Sequence, residues 1–208
     1  MESHVNLSTI GSLTNPRGGK GEFSHIPFGS ENSSELSPET FRRFSADLGL
    51  DASVTDRICE GTGGYNVGRM TKWVEDYSAV HVSMGFCNHM IIMRHLDLDT
   101  LSALYRAATG LEVSPSQLLT SGERIFNVLK AFNILAGATR RDDLPSRGAT
   151  WDPDRPMLIS GQNYGTLNDV LNQYYDERGW NQETGIPTRN KLAELGLQDV
   201  ADDLDSFK

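Results

Sequence analysis

The spacing of apolar residues most constrains the fold of this chain. They recur every three or four positions, and few segments alternate with a period of two. The longest run opens at Ser114-Pro115, a capping serine and a first-turn proline typical of a helix start. Gly122 within it costs about 1 kcal/mol relative to alanine, unless a close contact requires it. Its apolar stripe is formed by Leu118, Ile125, Phe126, Leu129 and Phe132. These patterns predict an all-α fold.

The same signals predict further helices before and after this run. One opens at Ser37-Pro38-Glu39 and ends at Gly49, with three apolar residues on one face: Phe41, Phe44 and Leu48. A second helical spacing covers Val67 to Val80. The remaining helices run from Asp97 or Asp99 to Gly110 with Leu101, Leu104 and Tyr105 inward, from Thr166 with Asp169 to Gly179, and onward from Thr188 with an interruption at Gly196.

Two stretches lack a sustained period. Residues 1–36 are rich in Gly, Ser and Asn, and we expect an irregular arm there, followed by one helical domain over residues 37–208. Residues 137–165 contain three prolines and are predicted to be loop. The glycine-rich stretch at residues 60–64 lacks the GK[ST] ending of a phosphate-binding loop, so a structural turn is favoured.

Charge and hydropathy exclude two classes of partner. The formal net charge of -9 argues against nucleic acid, since phosphate binding requires clustered Lys and Arg. No apolar run approaches the roughly 20 residues of a membrane helix. The first residues lack a basic region followed by an apolar core, so we expect no signal peptide and a cytoplasmic location.

The chain has two cysteines, Cys59 and Cys87. So few thiols favour a reducing compartment, and they are too few to build a structural zinc site or an iron–sulfur cluster. Any cluster would therefore need ligands from another part of the protein. Cys59 is interpreted as a small buried residue.

Other chemically notable residues have structural interpretations. His81, His89 and His95 flank Cys87 without zinc-finger spacing, which favours exposed or hydrogen-bonded histidines over a metal site. The acidic pairs at residues 142–143 and 202–203 are interpreted as solvated charges. Four aromatic residues are predicted to anchor the core: Trp151, Trp180, Tyr174 and Tyr175.

Three groups of strings resemble a known family. The first comprises YYDERGWN at residues 174–181, TGIPT at 184–188, and a following KL and LGL at 191–197. The second comprises GERI at 122–125, Phe132-Asn133 and RDDLP at 141–145, and the third is NPRGGKG at 15–21. Together they resemble, in the same order, the C-terminal part of the aldehyde:ferredoxin oxidoreductase family.

The resemblance implies cofactors and site residues. The family binds a tungsten or molybdenum bis-pterin beside a 4Fe-4S cluster, with three cluster cysteines upstream and a fourth in a D-x-x-G-x-C segment. Val82 to Cys87 is similar to that segment. Cys87 then matches the fourth cluster ligand, and Ser83, Gly85 and Phe86 match the cofactor-binding positions. Val82 replaces the family's pterin-binding aspartate, and His81 or Ser83 would have to supply the lost contact; His89 replaces an aromatic residue.

The resemblance also implies a function. It is the oxidation of aldehydes to carboxylic acids with ferredoxin as electron acceptor, completed by an N-terminal cofactor-binding chain. The chain alone is expected to be inactive. Reduction of aromatic acyl-CoA thioesters (benzoyl-CoA type) and a non-catalytic helical remnant stay open as alternatives.

The partner hypothesis carries two expectations about geometry. An exposed apolar patch is expected around Met84 to Ile92, including Phe86, where the partner would bind. Cys87 is expected near the surface beside Gly85, and Cys59 is expected to be packed.

Overall fold

The computed structural model describes residues 9–16, 38–60, 65–87, 96–145, 152–154, 156–159 and 162–206. In these ranges the chain is mostly helical, which confirms the all-α prediction. The α-helices in chain order are α1 Thr9–Thr14, α2 Pro38–Asp47, α3 Ala52–Ile58, α4 Val67–Ser83, α5 Leu98–Thr109, α6 Pro115–Leu135, α7 Leu167–Arg178, α8 Arg189–Glu194 and α9 Gln198–Ser206. None of the described helices is long and apolar enough to cross a membrane.

Side-chain caps begin most of the helices where the sequence indicates. Asp97, and not Asp99, caps α5 by accepting from the Thr100 N–H at 2.6 Å. Ser114 and Thr166 each form a capping box at the starts of α6 and α7. These reciprocal hydrogen bonds satisfy backbone donors that a helix start leaves open. Helix α3, capped by Asp51, was not predicted, because its seven residues show too little periodicity.

The prediction that residues 137–165 are loop is wrong in part. Arg140–Asp143 forms a 3₁₀ turn, and Pro156–Ile159 (β1) pairs antiparallel with Gln162–Thr166 (β2). Strands of four and five residues are too short to show a clear alternation. The expected irregular arm likewise contains α1, in which Ile10 is fully buried. The domain boundary at residue 37 stays a prediction.

Helix α4 lies at the centre of the fold and packs against both α6 and α7. A Cβ atom on Gly122 of α6 would lie 2.1 Å from the carbonyl oxygen of Asp76 in α4. A Cβ atom on Gly68 of α4 would lie 2.5 Å from the backbone nitrogen of Tyr174 in α7. Only glycine permits either approach. The close contact with α4 therefore explains why glycine, a poor helix former, stands at position 122 inside α6.

Apolar residues form a main core around α4 and a smaller core between α6, α8 and α9. Helix α6 turns its buried side from the first core towards the second, where Ala131 and Ile134 are buried. Phe132 consequently points away and is 69% exposed, so its place in the predicted stripe is wrong. Leu104, predicted to face inward, is 41% exposed, because α5 buries its first turn through Leu98 and Leu101.

One acidic residue predicted to be solvated is buried. Asp143 is 6% exposed and forms an ion pair with Lys130 at 2.6 Å. The hydroxyl of Tyr175 also donates to Asp143. Asp142 is exposed, as predicted, and its carboxylate accepts the Thr139 N–H at the start of the 3₁₀ turn. The local sequence Asp-Asp did not distinguish the two carboxylates, because their difference depends on α6 and α7.

Candidate functional site

Residues Ser83–Cys87 are here called the site segment. It begins at Ser83, the last residue of α4, and continues into the turn that follows. The Gly85 N–H donates to the Val82 carbonyl at 3.0 Å, and the Phe86 N–H donates to the His81 carbonyl at 2.9 Å. With Gly85 at φ 83°, this pair of bonds is a Schellman motif, which ends the helix and redirects the chain. Glycine at this position is therefore required by local geometry alone. Within the residues that the structure describes, and apart from its two chain neighbours, no atom lies within 4 Å of a Cβ built on Gly85, so these residues leave the space beside it open.

The two cysteines occupy different environments. Cys87 is exposed and lies two residues beyond the Schellman glycine, which confirms its expected place near the surface. Cys59 is half-buried against the main core, with its sulfur 3.9 Å from the carbonyl oxygen of Pro38. Burial raises the pKa of the Cys59 thiol. A buried, protonated thiol is a poor metal ligand, since metals bind the thiolate.

The rest of the site segment is partly covered by the chain itself. Ser83 is exposed, whereas Met84 and Phe86 are half-buried and pack against the main core. In the described part of the apolar patch predicted for Met84 to Ile92, the side chains of Met84 and Phe86 are therefore partly covered by the main core. Residues 88–92 of that patch, together with His89 and His95, lie outside the described residues. So do Trp151 and the glycines at residues 61–64.

His81, in the last turn of α4, lies beneath the site segment. Its side chain is fully buried, and its ring packs against Tyr77 at 4.4 Å and Phe86 at 6.3 Å between ring centroids. Nδ1 lies 3.1 Å from the Tyr77 carbonyl oxygen, whereas the buried Nε2 has no hydrogen-bond partner in the described part of the chain. Burial lowers the pKa of His81, and the Tyr77 contact opposes that shift. The sequence predicted an exposed or hydrogen-bonded histidine, and one of its two nitrogens is hydrogen-bonded.

No three His, Cys, Asp or Glu side chains of the described ranges come together in a group that could hold a metal ion. The assignment of Cys87 as one ligand of a shared cluster stays a prediction. A thiol on an exposed turn with open space at Gly85 fits that role. The assignments of Ser83, Gly85 and Phe86 to a cofactor stay predictions.

A buried charge network joins α7 to α4, the helix that ends in the site segment. Arg178 of α7 is fully buried and forms ion pairs with Glu75 at 2.6 Å and with Asp76, both of α4. Tyr174 donates to Glu75 at 2.7 Å, and Thr14 of α1 donates to its other oxygen at 2.9 Å. Burial raises the pKa of Glu75 to about 7, although the charge of Arg178 and these hydrogen bonds oppose the shift.

Neighbouring charges extend this network from α4 to α6 and α8. Lys72 contacts Asp76 at 2.8 Å and Glu123 of α6 at 3.0 Å. Lys191 of α8 lies 3.3 Å from Glu123. Glu123 and Lys191 belong to the strings that carried the family resemblance, but the sequence did not predict these ion pairs, because they form only when three helices come together.

The segments that carried the sequence resemblance meet in the core. Trp180 donates from its indole nitrogen to Asn127 at 2.8 Å, and Asn133 donates to the carbonyl of Pro16 at 2.6 Å. Trp180, Tyr174 and Tyr175 are buried, as predicted for core anchors. These segments therefore hold α1, α6 and α7 together and position the end of α4.

A family model described as "Aldehyde ferredoxin oxidoreductase, domains 2 & 3" matches residues 10–197. The tungsten-containing aldehyde ferredoxin oxidoreductase of Pyrococcus horikoshii is 34% identical over 136 residues, which cover 63% of this chain and 21% of that protein. The enzyme of the same name from Pyrococcus furiosus is 35% identical over 128 residues, or 59% of this chain and 20% of its own length. The chain thus spans about a fifth of these curated relatives.

A solved structure has a similar fold. It is the active site complex BamBC of benzoyl coenzyme A reductase in complex with 1,5-dienoyl-CoA. The TM-score is 0.62 at 18% identity, and the match covers 98% of this chain and 32% of the other.

Proposed function

Because the chain belongs to the aldehyde ferredoxin oxidoreductase family, as its domains 2 and 3, we propose that it is part of a tungsten- or molybdenum-pterin oxidoreductase. The proposed reaction converts an aldehyde and water into a carboxylic acid. It releases two protons and passes two electrons, one at a time, to ferredoxin. The names of the matched relatives support this reaction over reduction of an aromatic thioester.

The exposed Cys87 is the observation that carries the proposal. It stands on a rigid helix end whose conformation is set by the Schellman motif at Gly85. A cluster ligand has to be held in a fixed position while staying accessible to iron, and this arrangement meets both needs. Three further ligands would come from the part of the enzyme that this chain does not contain.

When bound, the cofactors would supply the two-electron redox chemistry and the path of electrons to ferredoxin. The residues of this chain would hold these cofactors. Cys87 would contribute a thiolate ligand to the cluster. Ser83 offers an exposed hydroxyl, and the open space at Gly85 lets a cofactor approach the backbone. The buried network of Arg178 fixes the helix that presents them.

The partner required by this proposal is a chain or segment that carries the remaining cluster cysteines and the rest of the pterin site. The match to about a fifth of each curated relative supports such a partner.

A comparison of the two cysteines tests the proposal. In the complete enzyme that contains this chain, we expect Cys87→Ser to lose the cluster, because a serine hydroxyl is not a thiolate ligand. Cys59→Ser is the matched control, since it makes the same change at a half-buried thiol packed on the core. Iron content and the low-temperature paramagnetic signal of the reduced protein measure the outcome. Equal iron retention in both variants would remove Cys87 as a ligand.

A further inference from the structure

His81 buries a hydrogen-bond acceptor that none of the described residues uses. Its side chain is 0% exposed, and Nε2 has no partner among the residues that the structure describes. The Tyr77 carbonyl 3.1 Å from Nδ1 can only accept, so Nδ1 carries the proton and donates to it. In the neutral ring, Nε2 then presents an unprotonated lone pair. Burial favours this neutral form by lowering the pKa of the imidazole.

An unsatisfied lone pair in a core is unfavourable, because the acceptor loses its water without gaining a replacement. Folded proteins pair the great majority of buried polar atoms, and exceptions call for a functional or structural explanation. Phenylalanine would fill much the same space without this penalty. Ser45, Trp73 and Ser78 also bury one unpartnered polar atom each, but His81 is distinguished by its contacts with the site segment.

Those contacts join His81 to Phe86 of the site segment, beside which the proposed cofactor would bind. The His81 carbonyl accepts the Phe86 N–H at 2.9 Å, and the two rings meet edge to face. The next residue, Val82, is half-buried and apolar and has no side-chain acceptor. A pterin carries ring N–H and amino donors that require acceptors once water is excluded.

We propose that Nε2 of His81 accepts a hydrogen bond from a ring N–H or amino group of the pterin. This acceptor makes up for the lack of one at Val82. The inference rests on the proposed function, because it needs a pterin beside the site segment. The half-buried Phe86 ring packs against the imidazole, so this hydrogen bond would require that ring to move aside. His81 is a positioning residue for the cofactor and takes no part in the redox step.

The test uses the complete enzyme that contains this chain and measures its pterin content, independently of activity. Released pterin is oxidised to its fluorescent form and expressed per polypeptide, before and after gel filtration. We expect His81→Phe to lose pterin about two- to tenfold faster, the range for one hydrogen bond to a neutral group. His81→Gln keeps an acceptor and should retain more pterin. Adding Val82→Asp to His81→Phe should restore retention.

Tyr77→Phe is the matched control. It lies one turn earlier on the same face and removes the hydrogen bond from the Tyr77 hydroxyl to the Leu96 carbonyl. This change lowers stability without removing an acceptor near the cofactor, so pterin retention should stay at the wild-type level. Equal retention in wild type and His81→Phe, or equal loss in His81→Phe and Tyr77→Phe, would overturn the inference. A wild-type enzyme that holds no pterin would instead overturn the proposed function, and this inference with it.

Discussion

Arg178 makes the most consequential single-residue contribution to this fold. Its guanidinium is fully buried, forms ion pairs with Glu75 and Asp76, and lies 4.2 Å from the ring centroid of Phe126. The residue belongs to the string that carried the family resemblance, and its role there is structural. A planar guanidinium offers five N–H donors in a fixed arrangement, whereas lysine offers three donors on a single flexible ammonium group.

Replacement of Arg178 by leucine should destabilise the chain severely. The change leaves two buried carboxylates without their main counter-charge, which typically costs about 3–5 kcal/mol. The free energy of unfolding in urea measures the effect. Adding Glu75→Gln to the Arg178→Leu variant should recover part of the loss, because it neutralises one of the stranded charges.

Arg189→Leu is the control for that prediction. Arg189 also pairs with two carboxylates, Asp202 and Asp205, but all three side chains are exposed. Water already solvates these charges, so the loss should be far smaller than at Arg178. Similar losses at both arginines would contradict a special role for the buried network.

At the scale of elements, α4 is the helix on which the others assemble. Its contacts with α6 and α7 pass through two glycines, Gly122 and Gly68, where the backbones approach too closely for a Cβ atom. The same helix carries Glu75 and Asp76 on its buried side and His81 at its last turn. A shift of α4 against α6 therefore moves the site segment as well.

Gly122→Ala should destabilise the chain although alanine is the better helix former. The new methyl group would lie 2.1 Å from a backbone oxygen, so the two helices have to separate. Overpacking of this kind costs about 1–3 kcal/mol. Ser121→Ala, at the neighbouring half-buried position of α6, should change stability by less than about 0.5 kcal/mol. Thermal unfolding compares the two, and a more stable Gly122→Ala variant would show that the helices are not in this contact.

At the scale of the whole molecule, two apolar cores hold the described helices together. The main core surrounds α4, and the second fixes α8 and α9 on the end of α6. One exposed thiol at the site segment is the chain's proposed contribution to a cluster that takes four ligands.

The isolated chain should therefore be colourless and free of stoichiometric iron. A single ligand from Cys87 leaves the other iron positions open to solvent, where a cluster is lost. Visible absorption and iron analysis of the purified chain, expressed without any partner, check this. A brown protein with four irons per chain would contradict both this prediction and the need for a partner.

The sequence alone was sufficient for most of the helices, though not for α1 and α3, and for the family. Capping residues such as Ser114, Thr166 and Thr188 act on backbone N–H groups two or three positions away, so their effect is readable locally. The strings around Arg178 and Gly122 identified the family because they resemble its sequence signatures. The exposed position of Cys87 beside Gly85 was also expected, from the same resemblance.

Only the tertiary structure decided which side chains are buried and which are paired. Asp142 and Asp143 are neighbours in sequence, yet one is exposed and the other pairs with Lys130 in the interior. Phe132 fits the helical period but faces outward, because α6 changes the core against which it packs. The lone pair of His81 and the charges around Arg178 likewise depend on residues far apart in the chain. Burial and electrostatics are set by through-space neighbours, and a local pattern contains no information about them.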